Sequence, residues 1–417
     1  MPIAQKVLQG YKRVETHIWY AIAATFCIQI VNAAFFLLLN YYMVAEGYAD
    51  FEVAEVLSYR FLSVALFAFP LGLYIKGRRL KPFFYLCAIS FPIFSHLVIY
   101  AVEQHSTTFL YAMAMCWGLS FTCIEITILP YIILNAKKET HSEAISLKFL
   151  TFGMSLTSVG LLNYFLHWLD PTFFTERRVL LILATLSTFC LYFVYRIRFV
   201  EQLSYTIPFK RVYQDYDWAI VFRALLPTFI IAIGAGFTIP VINLFFLNVH
   251  GMPSDHFSIL GSATFALVII VMSLIPFIRR HLGYRTAITG LQSAAVVALL
   301  LLATTEYYSH WAYAIYVAAF FFAIRQPLMN AAGPMVSELV MYYVGKRNQE
   351  IMSALTASIW SGSWFFSTKM FAFFRMMELS YVNIFLITVF LYAIGVVWYY
   401  FLVKDYEKRT GDTGKIS

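Results

Sequence analysis

Arg196-Ile-Arg-Phe-Val-Glu-Gln-Leu-Ser-Tyr-Thr-Ile-Pro-Phe-Lys-Arg-Val-Tyr-Gln-Asp-Tyr-Asp217 is the longest hydrophilic stretch inside this 417-residue chain. It mixes charges of both signs with Pro208 and holds no long apolar run, so it reads as a linker. On either side the sequence changes character. Six apolar runs precede it, over about 18–44, 55–75, 82–102, 108–135, 146–169 and 178–199. Six follow, over about 217–247, 256–278, 286–305, 310–342, 350–377 and 381–403. Each supplies the roughly 20 apolar residues that a helix needs to cross a hydrocarbon core. The division predicts an all-α integral membrane protein of twelve transmembrane helices. Residues 1–195 form one six-helix bundle, 196–216 a cytoplasmic linker, and 217–417 a second bundle with a short cytoplasmic tail. The first run is longer than a signal-peptide core and reads as a retained span.

Composition removes the soluble alternatives. The chain is 61% hydrophobic, 19% aromatic and only 12% charged, against about 45–50% apolar and about 25% charged in ordinary globular domains. Mean hydropathy is +0.72. A soluble enzyme, a disordered scaffold and a nucleic-acid-binding domain are excluded as leading readings. The net charge of +8 has a simpler origin. Of 30 Lys and Arg residues, 23 fall on the side shared with the N-terminus, three (Arg177, Arg178, Arg375) on the other, and four within spans. Positive residues accumulate on the cytoplasmic side, which predicts both termini inside. Contact with anionic membrane lipid accounts for the basic balance, and no nucleic-acid partner is expected.

Catalytic signatures are missing. There is no His-Glu-x-x-His, no phosphate-binding loop and no Gly-x-Ser-x-Gly. The five cysteines lie inside apolar runs without metal-ligand or disulfide spacing. No enzyme, cofactor or metal is expected, and uphill transport would have to draw on an ion gradient.

The two sets of runs echo each other. Gly77, Arg78 and Arg79 after the second run recur as Gly283 and Arg285 after the eighth. Lys137-Lys138 followed by Glu143 and Ser146 recurs as Lys346-Arg347 followed by Glu350 and Ser353. The offsets of Gly77 to Gly283, Glu143 to Glu350 and Ser146 to Ser353 agree within one residue, as a parallel duplication requires. The turns read Gly72-Leu-Tyr-Ile-Lys76-Gly77-Arg78-Arg79 and Arg279-Arg280-His281-Leu282-Gly283-Tyr284-Arg285. Together with six-plus-six spans and a central linker, they resemble the major facilitator superfamily. That family's turn also carries an acidic residue, which both copies here lack. The resemblance implies alternating access, in which two bundles rock about a midplane site. It also implies that spans one, four, seven and ten line the cavity, and that Gly72, Gly77, Arg78, Arg79, Arg280, Gly283 and Arg285 form gating loops.

Polar residues within spans are costly and therefore candidates for function. Glu125 lies deep in the fourth run, with Gly118 and Thr122 on its face; among isoleucines, it is the expected proton-coupling group. Arg325 in the tenth run is followed by Gln326, Pro327 and Asn330, and the prolines Pro327 and Pro334 invite a break. A Glu125–Arg325 pair is one arrangement, a separate structural partner for each another. Lys369 lies inside the eleventh run below Trp360 and Trp364. Gln29, Asn32 and Asn40 share a helical face, and Asn243 accompanies Gly236 and Pro240 in the seventh run. Arg60 and Arg223 lie nearer the ends of their runs and are weaker candidates, able to snorkel to headgroups. Each polar residue also has a plain structural reading, as a bond between neighbouring helices.

These observations predict a monomeric, multi-pass secondary active transporter, a symporter or antiporter, in the plasma membrane of a bacterium (its inner membrane). It would move a small organic solute, with protons as coupling ion. The excess of intramembrane cations favours an anionic or zwitterionic solute. Multidrug or metabolite efflux on the same fold is the alternative within transport. A polytopic membrane enzyme and a lipid flippase are the alternatives outside it.

Overall fold

The computed structural model describes residues 12–75, 79–137, 140–197, 217–345 and 349–411. The linker from 198 to 216, Gly77, Arg78, Lys138 and Lys346-Arg347 lie outside the described residues, as do the side chains of Arg280, Glu143, Ser146, Glu350 and Ser353.

Twelve helices account for nearly all of what is described. They are α1 (Thr16–Ala45), α2 (Asp50–Ile75), α3 (Lys81–Glu103), α4 (Thr107–Asn135), α5 (His141–Leu169) and α6 (Glu176–Arg196). After the linker come α7 (Trp218–His250), α8 (Ser254–Ser273), α9 (Ile275–Thr304), α10 (Ala314–Val344), α11 (Gln349–Met376) and α12 (Tyr381–Thr410). Eleven are long and apolar enough to cross a membrane. The exception, α11, is long but interrupts its aromatics with Ser, Thr and Gly. It packs against both α2 and α7, and Phe366, Met370 and Phe373 stand on its outer face.

Neighbour relations follow a rule. α1 packs on α5 and α6, α2 on α4, α3 on α4 and α6. Advancing each number by six gives the other set, with α7 on α11 and α12, α8 on α10, and α9 on α10 and α12. Two further contacts, α2 with α11 and α5 with α8, join the first six helices to the last six and exchange under the same shift.

The interior is close-packed and the exterior apolar. α1 and α7 are the most buried helices. Large hydrophobic side chains stand outward on the others, among them Leu86, Ile93, Phe149, Val297, Phe390 and Phe401. In water such a surface would drive aggregation; against lipid tails it is the required solvent contact. The five cysteines are free thiols.

Several helices depart from uniform α geometry. α6 is interrupted near Ser187 and α9 at Gly283, whose φ of 74° and ψ of 169° belong to a region that side chains disfavour. α10, by contrast, runs unbroken through Pro327 and Pro334. Each proline removes a single rung, the donor to the Ala323 and the Asn330 carbonyl respectively, and the rest of the ladder holds. The expected break is therefore not in α10. It lies in α1 and α7.

Candidate functional site

The turn Phe35–Leu39 of α1 is widened to π geometry. The extra residue rotates everything beyond it by roughly 100°, since an α-helix turns once per 3.6 residues. Gln29 and Asn32 therefore keep one direction while Asn40 takes another. α7 carries a matching irregularity, a 3₁₀ turn over Ile239–Val241, where Pro240 withholds a backbone donor. The two irregular turns meet. Asn40 Nδ2 donates to the Pro240 carbonyl at 3.0 Å and to Asn243 Oδ1 at 2.7 Å.

On the other side of the bulge a polar chain crosses four helices. Lys148 Nζ on α5 donates to Glu125 Oε2 on α4 at 2.9 Å, and Gln29 Nε2 on α1 donates to Glu125 Oε1 at 2.8 Å. Asn32 Nδ2 donates to Gln29 Oε1 at 3.0 Å, and Arg60 Nη2 on α2 donates to Asn32 Oδ1. The Arg60 guanidinium lies 4.2 Å from the centre of the Trp117 ring, a cation–π arrangement. Gly118 makes this possible. A Cβ there would lie 2.6 Å from the Arg60 carbonyl and 2.3 Å from Ser63 Oγ, so only glycine lets α4 approach α2 this closely.

Beside Arg60 lies a small cavity between the first six helices and the last six. Phe35, Phe36, Phe61, Trp117 and Trp364 form most of its wall, and Asn40 and Pro240 border it. Phe35 stacks on Trp117 at 4.6 Å, and Phe61 meets Trp364 edge-on at 5.0 Å. Toward the end of the molecule away from Thr16, the cavity is closed by contacts between the two sets of helices. Lys369 on α11 pairs with Glu55 on α2. Asp50 accepts from Arg375 Nη2 at 3.0 Å, Tyr381 at 2.5 Å and Asn248 at 2.7 Å. Tyr41 donates to the Met252 carbonyl at 3.1 Å, and Ser254 to Glu176 at 2.6 Å.

The residues singled out in sequence separate into groups. Glu125, Gln29, Asn32 and Arg60 come together, and Trp364 joins them across the cavity. Arg60 is not at a helix end, because α2 begins at Asp50 with acids in its first turn and places Arg60 well inside. Asn243 meets Asn40. Lys369 bridges to Glu55 and lies 4.6 Å from the Tyr59 ring; Trp360 packs edge-on to Trp364 at 6.3 Å. Arg325 is elsewhere: 1% exposed, it donates to its neighbour Gln326 at 2.7 Å and to Tyr392 on α12 at 3.2 Å, away from Glu125. Arg223 stands at the opposite end, 57% exposed and 3.8 Å from Asp405. Of the gating motif, Gly72 lies within α2 and Arg79 just before α3, while Arg285 pairs with Glu407 on α12.

Lys148, Glu55 and Trp117 were not visible as site residues. Lys148 reads in sequence as one more basic loop residue. The signal that marks it is the polar stripe Lys148, Thr151, Ser155, at i, i+3 and i+7 along α5. Glu55 reads as the edge of a run until the true start of α2 is known.

A family model described as Major Facilitator Superfamily matches residues 13–368. Among curated proteins none matches this sequence. Solved structures resemble the fold at low identity. The nucleoside transporter NupG shares 12% identity and a TM-score of 0.73 over 93% of this chain and all (100%) of its own. A bacterial homologue of the human lysosomal transporter Spinster, inward-facing and occupied, shares 13% identity and a TM-score of 0.71 over 96% of this chain and 98% of its own. A D-xylose–proton symporter shares 11% and 0.71 over 91% and 96%.

Proposed function

We propose that this chain, which belongs to the major facilitator superfamily and is a membrane transporter rather than an enzyme, is a proton-coupled secondary transporter of a small organic solute. Two six-helix bundles, 1–195 and 217–417, rock about the cavity beside Arg60, joined by the linker 196–216. The packing rule that repeats after six helices supports this division. Both termini are cytoplasmic, on the loop-charge asymmetry. The protein acts as a monomer in a bacterial plasma membrane.

The observation that carries the reading is the meeting of two helix irregularities beside the cavity, pinned by Asn40 on Asn243 and on the Pro240 carbonyl. Irregular backbone inside a membrane persists only where protein or cavity water satisfies it. Here the Pro240 carbonyl of the α7 turn is satisfied by Asn40 of the other bundle. Separating the bundles at this end exchanges those bonds for water, and the cavity opens outward.

Coupling is assigned to Glu125. Ionised, its carboxylate accepts from Lys148 and Gln29. Protonation at Oε1 removes the ion pair, turns that oxygen into a donor and releases Gln29. The change passes through Asn32 to Arg60, the cation at the cavity. In proteoliposomes carrying a ligand found by thermal-shift screening, Glu125→Gln should abolish accumulation driven by a pH gradient while leaving ligand exchange. Accumulation equal to wild type would remove the coupling role.

A second reading draws on the aromatic wall. Efflux of bulky lipophilic compounds would show as binding of neutral ligands, indifferent to Arg60.

A further inference from the structure

We infer that the cavity beside Arg60 is a binding site for an organic monoanion, a carboxylate attached to an apolar or aromatic body. The inference rests on the transporter reading for its biological sense and on geometry for its chemistry.

The charge argument comes first. Two of the cations near the cavity are neutralised, Lys148 by Glu125 and Lys369 by Glu55. Arg60 is not. Among the described residues its only hydrogen-bond partner is the neutral Asn32. A cation inside a membrane without an anion is costly unless a counter-charge arrives.

Hydrogen-bond stoichiometry points the same way. On the cavity wall the buried side-chain groups without a partner are Arg60 Nε, Trp117 Nε1 and Trp364 Nε1. All three are donors. A carboxylate only accepts, with two oxygens and about four lone-pair directions, and a guanidinium meets it most strongly as a fork. One cation fits one negative charge. Sugars and amides bring donors of their own, for which this wall offers only Asn40 and the Pro240 carbonyl.

Shape supplies the rest. Phe35, Phe36, Leu57 and Phe61 line the remaining wall, an apolar and aromatic surface that a ring or short hydrocarbon body would cover. Acetate or inorganic phosphate would satisfy the donors and leave that apolar wall uncovered.

The test uses the full-length protein in detergent, without a gradient, read by thermal shift and tryptophan fluorescence. The probes are phenylacetate, indole-3-acetate, the neutral isostere phenylacetamide, acetate and inorganic phosphate. Saturable stabilisation by the two aromatic carboxylates is expected, and none by the other three at equal concentration. Arg60→Gln should weaken phenylacetate binding about tenfold or more, as expected for loss of a bond between charged groups. Arg60→Lys should keep part of it. Trp117→Phe, which keeps the ring and removes the N–H, should give a smaller loss.

Failure of both aromatic carboxylates to bind wild type overturns the assignment, as does equal binding of phenylacetamide or phosphate. Unchanged phenylacetate affinity in a folded Arg60→Gln protein also overturns it. If that variant does not fold, the wild-type comparison of phenylacetate with phenylacetamide decides. Binding in detergent without uptake into proteoliposomes would keep this site and remove the transport reading instead.

Discussion

Asn40 on α1 donates to Asn243 on α7 across 2.7 Å, and through it the π turn of one helix is held against the 3₁₀ turn of the other. The same amide donates to the Pro240 carbonyl. Two bonds of this kind bind the first six helices to the last six beside the cavity.

Asn40→Ala should therefore loosen the closed end without unfolding the protein. Losing about 1 kcal/mol of hydrogen bonding shifts a two-state balance roughly fivefold. Accessibility to thiol reagent of a cysteine placed at Asn248, in a background lacking the native cysteines, measures the shift. Equal labelling rates with and without Asn40→Ala would mean that this joint does not control opening.

Lys148 and Glu125 are 15% and 25% exposed at the side chain, and neither tolerates isolation. Lys148→Met leaves a carboxylate without its counter-ion and should lower thermal stability markedly, by about 3–5 kcal/mol in the buried limit. Adding Glu125→Gln should restore most of it, because two neutral groups need no pairing. A double variant less stable than Lys148→Met alone would contradict the pairing.

Gly118→Ala should separate α4 from α2 at Arg60. Its new methyl would meet a backbone carbonyl that cannot swing away. Overpacking of this kind costs about 1–3 kcal/mol. Ligand affinity should fall along with melting temperature, since Trp117 and Arg60 flank the contact. Affinity preserved in a destabilised variant would show that the approach is structural only.

Glu15 offers a pH test outside the spans. Its partial burial pushes the carboxyl up. Bonds accepted from its own backbone N–H, from Thr140 and from the Lys137 backbone outweigh that and leave it below the ordinary value. A lowered value in the fold means that the stabilisation is present above the ordinary glutamate range and fades as pH falls through the lowered value. Glu15→Gln should cost about 1 kcal/mol near neutrality, and the gap from wild type should narrow on acidification. A gap that widens in acid would reverse the assignment.

Much of the site was legible because membrane cost makes polar residues conspicuous. Glu125, Gln29, Asn32, Asn243 and Lys369 each interrupt an apolar run, and each has a polar partner from another helix in the fold. Arg325 met the same criterion and turned out to face Tyr392. Local pattern reveals that a buried charge needs a partner, not which partner. Lys148 shows the converse, since a basic residue entering a helix looks the same whether it reaches headgroups or a carboxylate.

The helical, membrane-spanning class and the count of helices were in the sequence by itself, because crossing hydrocarbon demands about 20 apolar residues at a time and no other local solution exists. Which charges meet was decided only by tertiary structure. The start of α2 at Asp50 carries Arg60 inward, the π turn of α1 swings Asn40 away from Gln29, and Gly118 brings Trp117 onto the guanidinium. Each is a matter of helix register and close approach between segments far apart in the chain, and register is set by packing rather than by composition.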